Sequence, residues 1–321
     1  MGARISRATL LRWAPFLVLI ALVVFFTILN PSFFSLRNAA RIALAATPAL
    51  MVAIGVTFIL IMGSIDLSME GAVSVTAVLF ATVFLQLGGT LASWAWIALP
   101  AAVLAGAVFG MLNGWLHVKL QIPSFMASLA FGFVGTGLAL MMTGGDRIRV
   151  EDELFRGLLT FRFAGFPLMV WLAFGFVLIA WFIQTRTTIG RNLYAVGGGE
   201  ELAHASGLNT RRVRVIGFTL AGAFYALGAL MAVARIGIAE TATGNNFMFI
   251  SITSAVVGGV ALWGGIGGVW NAVVGVLIVN VINNGMVVIG LPDYLQDGVL
   301  GLMVILAVVL STDRRLVSFV K

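Results

Sequence analysis

About ten apolar segments, 13 to 21 residues long, recur along this chain of 321 residues. A helix needs about 20 apolar residues to cross the hydrocarbon layer of a bilayer. Only 10% of the residues are charged, whereas a soluble domain carries roughly 25%. The sequence therefore predicts an all-α, polytopic membrane helical bundle with about ten transmembrane helices. The predicted spans cover residues 13–29, 42–62, 72–87, 92–112, 125–143, 166–183, 215–234, 249–263, 271–289 and 298–310.

Residues 1–321 are predicted to form one membrane domain, because the polar excursions between the spans are too short to fold alone. An even number of crossings puts both termini on the same side. Twelve of the 19 Lys and Arg residues fall on that side, and cytoplasmic segments are the ones that collect basic residues. Both termini are therefore expected to be cytoplasmic. The first apolar run is longer than a signal-peptide core of roughly 7 to 15 residues, so we expect it to remain as the first span.

Composition argues against several functions. The net charge of +7 comes from basic residues that punctuate apolar runs, not from a basic face of the kind that binds nucleic acid. No cysteine is present, and the only two lysines, Lys119 and Lys321, each follow valine. A P-loop needs a lysine directly after glycine. His117 and His204 lack the partners of a metal motif. We expect a chain that is not an enzyme and that binds no cofactor or metal itself.

Two carboxylates and two serines occupy the short polar segment 63–71, between the second and third predicted spans. An ionised carboxylate in hydrocarbon costs roughly 2.5 to 3.5 kcal/mol, so Asp66 should face protein or a water-filled cavity. Asp66 and Ser68 are therefore candidates for a solute pathway. The same residue types also cap helices by accepting hydrogen bonds from free amides. Both interpretations stand, and the two roles can coexist.

Asparagines mark the ninth predicted span. Asn280 and Asn284 are four residues apart, so they share one helix face. Amides inside a membrane need partners, and they find them in neighbouring helices or in a wet cavity. These two residues are predicted either to hold helices together or to contact the solute.

The fourth span carries a tandem GxxxG pattern at Gly106, Gly110 and Gly114. Three glycines at this spacing form a stripe without side chains, which allows another helix backbone to approach closely. The stripe is predicted to mediate helix packing, either inside one subunit or at a seam between two subunits.

Residues 184–214 form a long polar excursion on the predicted cytoplasmic side. Two glutamates near its middle suit the positive end of a short helix, and a later glycine suits its left-handed end. The residues concerned are Glu200, Glu201, Leu202, Ala203, Ser206 and Gly207. Such a helix can seat in the groove of a partner protein, although an ordinary surface loop is equally compatible with these residues.

Taken in order, the motifs of this chain resemble those of permease subunits from ribose- and xylose-type monosaccharide ABC importers, over nearly the whole length. The motifs are Asn30-Pro31-x-Phe33, Gly63-Ser64-Ile65-Asp66-Leu67-Ser68, Asn113-Gly114, Gln121-Ile122-Pro123-Ser124-Phe125, Thr143-Gly144-Gly145, Gly190-Arg191-Asn192-Leu193-Tyr194-Ala195-Val196-Gly197-Gly198, Ser206-Gly207-Leu208-Asn209, Val257-Gly258-Gly259 and Asn283-Asn284-Gly285.

The resemblance implies a permease that carries a sugar such as ribose, xylose or galactose across the bacterial inner membrane by alternating access. The implied partners are cytoplasmic ATPase subunits that hydrolyse ATP, a periplasmic or lipoprotein solute-binding protein, a second permease subunit and the surrounding membrane lipid. Residues 184–214 would be the coupling loop, with the helix around Glu200 seated on the ATPase. Asp66 would lie near the central pathway.

Two stretches depart from the pattern of that family. The chain has Gly199-Glu200-Glu201-Leu202 where the family usually has Asn-Glu-Ala-Ala, and Val260-Ala261 where the family has Thr-Ser. The second change points to a solute other than those of the commonest members. A nucleoside, a polyol or an autoinducer is an alternative solute within the family. A secondary transporter and an integral membrane enzyme are alternatives outside it.

Overall fold

The computed structural model describes residues 7–292, 294–296, 298–299, 301–302 and 305. Within these residues the chain is overwhelmingly helical, which confirms the all-α prediction. The helices are α1 (Arg7–Leu29), α2 (Leu36–Ile61), α3 (Met69–Gln86), α4 (Ala98–Leu120), α5 (Ser124–Thr143), α6 (Glu153–Thr160), α7 (Leu168–Arg186), α8 (Thr188–Gly198), α9 (Glu200–Ala205), α10 (Thr210–Ile236), α11 (Phe247–Val257) and α12 (Val269–Val288).

Two short antiparallel pairs of strands accompany the helices. Strand β1 (Ile148–Arg149) pairs with β4 (Ile238–Ala239), and β2 (Arg162–Phe163) pairs with β3 (Phe166–Pro167). Because β4 follows the end of α10, the β1–β4 pair marks one end of the bundle, which we call the strand end. The other end carries α9, next to the start of α10, and we call it the α9 end.

Seven helices are long and apolar enough to cross a membrane. They are α2, α3, α4 with the turn before it, α5, α7, α10 and α12. The apolar part of α1, Trp13–Leu29, is shorter. Most of the predicted span 298–310 lies outside the described residues. The chain is therefore a multi-pass membrane bundle, and the total of about ten spans stays a prediction.

The eighth predicted span, 249–263, does not form one continuous helix. Helix α11 ends at Val257, and the chain then follows an irregular path to Gly268. Gly259, Gly264 and Gly267 have φ values near +100° in this path, a conformation that side chains other than glycine's avoid. The apolar composition of the segment suggested a helix, but its glycines end the helix after 11 residues.

Helices α2 and α10 form the centre of the bundle. Protein buries 83% of the most apolar window of α2 and 67% of that of α10. The corresponding shares are 28% for α5 and 22% for α7. Helices α5 and α7 therefore lie at the periphery of the described bundle.

The glycine stripe of α4 packs against α10 of the same chain. A Cβ atom added to Gly110 would lie 2.1 Å from the carbonyl oxygen of Phe218, and one added to Gly106 would lie 2.5 Å from that of Gly222. Gly114 lies against the Phe218 side chain. Because the two helix backbones touch here, the stripe has no room for a second subunit. A seam between subunits would need another surface.

Candidate functional site

The segment between α2 and α3 turns back into the bundle in an extended conformation. Its backbone amides find side-chain acceptors on α5: Ile65 N donates to Ser124 Oγ (3.1 Å) and Leu67 N donates to Ser128 Oγ (2.9 Å). An extended backbone inside a membrane is stable only when its polar groups are paired in this way. The segment is thus a fixed part of the bundle, and it carries Asp66 into the interior.

The Asp66 carboxylate is 2% exposed and accepts hydrogen bonds from four neutral donors. Its Oδ1 atom accepts from Ser68 N (2.8 Å), Ser68 Oγ (2.7 Å) and Asn113 Nδ2 (3.3 Å), and its Oδ2 atom accepts from Tyr225 OH (3.0 Å). No Lys, Arg or His side chain pairs with it in the described part of the chain. The carboxylate therefore ties the extended segment to α4 and α10. We call Asp66, Ser68, Asn113 and Tyr225 the Asp66 cluster.

Two members of the Asp66 cluster come from the predicted site and two come from elsewhere. Ser68 precedes α3, but its side chain makes no capping hydrogen bond; its own amide donates to Asp66 instead. Ser68 therefore does not cap α3, and Asp66 accepts from the amide of the residue just before the helix. Tyr225 was not among the sequence candidates, although a phenol in an apolar span needs a partner. Contact between Asp66 or Ser68 and a solute stays a prediction.

The two predicted asparagines of α12 lie apart from the Asp66 cluster and differ from each other. Asn284 Oδ1 accepts a hydrogen bond from Asn38 Nδ2 of α2 at 2.8 Å. Asn280 Nδ2 donates to the Val276 carbonyl of its own helix at 2.9 Å. Asn284 therefore links two helices, and contact of either residue with a solute stays a prediction.

Three backbone segments meet at the α9 end with almost no side-chain atoms between them. Gly265 N donates to Ile61 O at 2.8 Å, and a Cβ atom on Gly197 would lie 1.8 Å from the same carbonyl oxygen. Beside them, Tyr194 OH donates to Gly267 O at 2.5 Å. The end of α2, the end of α8 and the path before α12 are thus in direct backbone contact.

Helix α9 presents one face to the outside of the bundle. Leu202 is 78% exposed, whereas Ala203 is buried. Gly207 follows the helix with φ at +87°, in the left-handed region that its position after the helix predicts. Ser206 Oγ donates to the Ala203 carbonyl at 2.7 Å and tightens this turn. The predicted docking residues therefore form a compact projection that exposes the Leu202 side chain.

Arg214, in the first turns of α10, connects α9 with the segment that carries Asp66. Its guanidinium makes two hydrogen bonds to the Glu200 carboxylate, Nε to Oε1 at 3.1 Å and Nη2 to Oε2 at 2.6 Å. Its Nη1 atom donates to Ser64 Oγ, two residues before Asp66. Arg214 was absent from the sequence candidates, and nothing in its local sequence distinguishes it from Arg211 or Arg212. We call Glu200, Arg214 and Ser64 the Arg214 link.

The charge on Glu200 is stabilised by this contact. Its hydrogen bonds with Arg214 lower the pKa of the Glu200 carboxyl, and this effect outweighs partial burial, which raises it. A lowered pKa in the folded state means that the pair is intact at neutral and mildly acidic pH. The ion pair between Glu200 and Arg214 is lost only as the pH falls below the range in which a glutamate carboxyl usually titrates.

Comparison with known proteins identifies the family. The family described as "Branched-chain amino acid transport system / permease component" matches residues 38–308. The ribose import permease of Haemophilus influenzae is 29% identical over 298 residues, 91% of this chain and 90% of the relative. The L-arabinose transport system permease of Escherichia coli is 31% identical over 94% of this chain and 92% of the relative.

A third relative, the galactose/methyl galactoside import permease of Haemophilus influenzae, is 32% identical and covers 93% of both chains. No solved structure matches the chain. The match to the family extends over every helix from α3 to α12 and over nearly all of α2. The chain therefore belongs to the family of transport-system permease components, and it is a transport protein rather than an enzyme.

Proposed function

We propose that this chain is the transmembrane permease subunit of an ATP-binding-cassette importer that carries a monosaccharide across the bacterial inner membrane. The observation that carries the proposal is the similarity to ribose, L-arabinose, D-allose and galactose permeases, which extends over at least nine-tenths of each chain. Similarity of this extent includes the solute path as well as the packing core. It supports a sugar as the class of solute.

The α9 end is proposed to face the cytoplasm, with both termini on that side and ten crossings in all. In this arrangement the segment between β4 and α12 forms the eighth crossing. It consists of α11 and the irregular backbone on either side of α11. Arg211 and Arg212 are exposed at the α9 end, in agreement with the enrichment of basic residues on the cytoplasmic side.

The energy for transport would come from ATPase subunits that dock on residues 184–214, through the face of α9 that carries Leu202. The exposed Leu202 side chain next to the exposed Glu201 is typical of a protein contact surface with an apolar centre and a polar rim. The solute-binding protein would dock at the strand end. A second permease subunit would complete the pathway, and ATP-driven closure of the ATPases would switch it between two orientations.

The solute pathway is proposed to run beside the segment that Asp66 and Ser68 hold, and along the α12 face that carries Asn280 and Asn284. Polar side chains at membrane depth are expensive unless they meet protein or water. All four lie on elements of the bundle interior. Asp66 would act mainly by fixing the backbone beside the pathway, since neutral donors already occupy both of its oxygens.

Replacing Leu202 with aspartate is expected to weaken binding of the ATPase strongly. A well-packed apolar side chain at the centre of a contact contributes about 2 kcal/mol or more, so affinity should fall about thirtyfold or more. Co-purification of the ATPase with the tagged permease measures the effect. Leu154→Asp is the matched control, because Leu154 is 58% exposed on α6, outside the proposed docking face. Equal recovery of the ATPase with both variants would contradict docking through α9.

A further inference from the structure

The crossing between β4 and α12 is broken at membrane depth. Helix α11 supplies only 11 of its residues, about 16 Å of helix. Before it come a single 3-10 turn, Thr241–Gly244, and then Asn245 and Asn246. Irregular backbone at this depth is tolerated only where protein buries it or where it lines a water-filled cavity. The position and exposure of Asn245 and Asn246 show whether protein buries this backbone or whether it lines a cavity.

Glu70 provides a reference for depth. It precedes Gly71, whose added Cβ atom would lie 2.0 Å from the Gly132 carbonyl oxygen. Gly135 also touches Gly71. Gly132 and Gly135 lie near the middle of the 20-residue helix α5, which is long enough to span the membrane. Glu70 is therefore close to the middle of the hydrocarbon layer.

The break in the eighth crossing lies at the level of Glu70. A Cβ atom on Gly244 would lie 1.9 Å from the Glu70 carbonyl oxygen, and Met248 N donates to Glu70 Oε1 at 3.3 Å. Asn245 and Asn246 stand between these two contacts. They too are close to the middle of the membrane.

Asn245 and Asn246 are exposed, and their side chains form no hydrogen bond with any described residue. Asn246 has φ at +69°, a left-handed conformation that asparagine tolerates better than most residues. An amide turned toward lipid would lose its hydrogen bonds with water and gain none. Helix α5 shows the contrast at this depth, since its exposed residue Phe133 is apolar. The exposed amides therefore face water or a polar occupant.

We propose that Glu70, Asn245 and Asn246 form a hydroxyl-binding face on the solute pathway. The inference rests on the proposed function and names the residues that recognise its solute. A carboxylate accepts hydrogen bonds, and an amide both donates and accepts them. Sugar hydroxyls also do both, so one neutral polyhydroxy molecule can satisfy all three side chains. The carboxylate disfavours anionic solutes, because burying two like charges together is costly.

The absence of cysteine from the chain permits a direct test by cysteine accessibility. Asn245→Cys and Asn246→Cys are each introduced into the assembled importer and treated with a charged methanethiosulfonate reagent. Phe133→Cys is the control, since Phe133 lies at the same depth on α5 and its apolar side chain is 71% exposed. The thiolate reacts, and it forms only where water reaches the thiol. The asparagine positions should therefore react about tenfold faster than the control or more.

The same reaction is then repeated with ribose, L-arabinose, D-allose or galactose. The sugar that the unmodified importer takes up should slow labelling at the asparagine positions several-fold, and the others should not. Labelling no faster than at Phe133→Cys would overturn the proposal, and so would labelling that the transported sugar leaves unchanged. Spontaneous disulfides between two copies without labelling would also overturn it and assign the face to a subunit seam.

A second variant checks the face without a reagent. Asn246→Gly removes the side chain and keeps the left-handed backbone accessible. The KM for uptake should rise about three- to tenfold, as expected for the loss of one or two hydrogen bonds. An unchanged KM would contradict the face. ATP-dependent uptake by the unmodified importer keeps the proposed function separate, since its absence would contradict that function whatever the labelling shows.

Discussion

Alanine at position 66 is expected to destabilise the permease more than any other single change to a polar side chain in the bundle. Asp66→Ala removes the acceptor that Ser68, Asn113 and Tyr225 share in a buried site. Asn113 Nδ2 keeps a second acceptor, Ser68 Oγ at 3.1 Å, so the loss falls on the Ser68 amide, the Ser68 hydroxyl and the Tyr225 hydroxyl. Each buried donor that loses its partner costs about 1 to 3 kcal/mol. The free energy of unfolding should therefore fall by about 3 kcal/mol or more, which thermal unfolding of the detergent-solubilised protein measures.

Two comparisons separate this effect from a general loss of charge. Asp146→Ala removes an exposed aspartate and should leave the melting temperature nearly unchanged. Asp66→Asn removes the charge but keeps an acceptor oxygen for Ser68 and Asn113, and its amide group can donate to the Tyr225 hydroxyl. It should therefore destabilise much less than Asp66→Ala. If Asp66→Ala melted like the unmodified protein, the Asp66 cluster would have no structural role.

Arg214→Ala is expected to uncouple transport from ATP hydrolysis without unfolding the chain. The change removes both hydrogen bonds to Glu200 and the one to Ser64, so movement of α9 is no longer transmitted to the segment that carries Asp66. Sugar uptake should fall about tenfold or more, which corresponds to about 1.4 kcal/mol of lost coupling. The ATPase should still bind, because Leu202 is untouched. Uptake and ATP hydrolysis measured in the same vesicles give the ratio of the two.

Arg212→Ala is the matched control for the Arg214 link. It removes the same charge from the same helix at an exposed position, and among the described residues the hydrogen bonds and the ion pair of the Glu200 carboxylate go to Arg214 and not to Arg212. Transport with Arg212→Ala should stay close to that of the unmodified importer. Equal uptake by the two variants would show that the Arg214 link does not carry the coupling.

Apolar length was a sound guide to the seven spanning helices, because it measures the requirement that the bilayer imposes on each segment. The same criterion was wrong about residues 249–263 as one continuous helix. There the apolar content continues through Val260 and Ala261, while the backbone conformation is set by glycines. Hydropathy reports where a segment lies and not whether its helix is continuous.

The candidate site shows a similar division between local and distant information. Asp66 was predictable, since a carboxylate in an apolar region needs hydrogen-bond partners or water in any fold. Its partners Asn113 and Tyr225 come from α4 and α10, which pack closely along the glycine stripe of α4. Arg214 is one of three arginines within four residues. Its selection depends on helix rotation, which a single sequence does not report.

Reconstitution of the permease into lipid vesicles tests the central claim most directly. With its ATPase and solute-binding protein present, the chain should accumulate one of the four sugars only when ATP is supplied on the ATPase side. Without the ATPase, the purified chain should neither hydrolyse ATP nor accumulate sugar. Accumulation by the chain alone in an ion gradient, or ATP hydrolysis without a partner, would contradict the account.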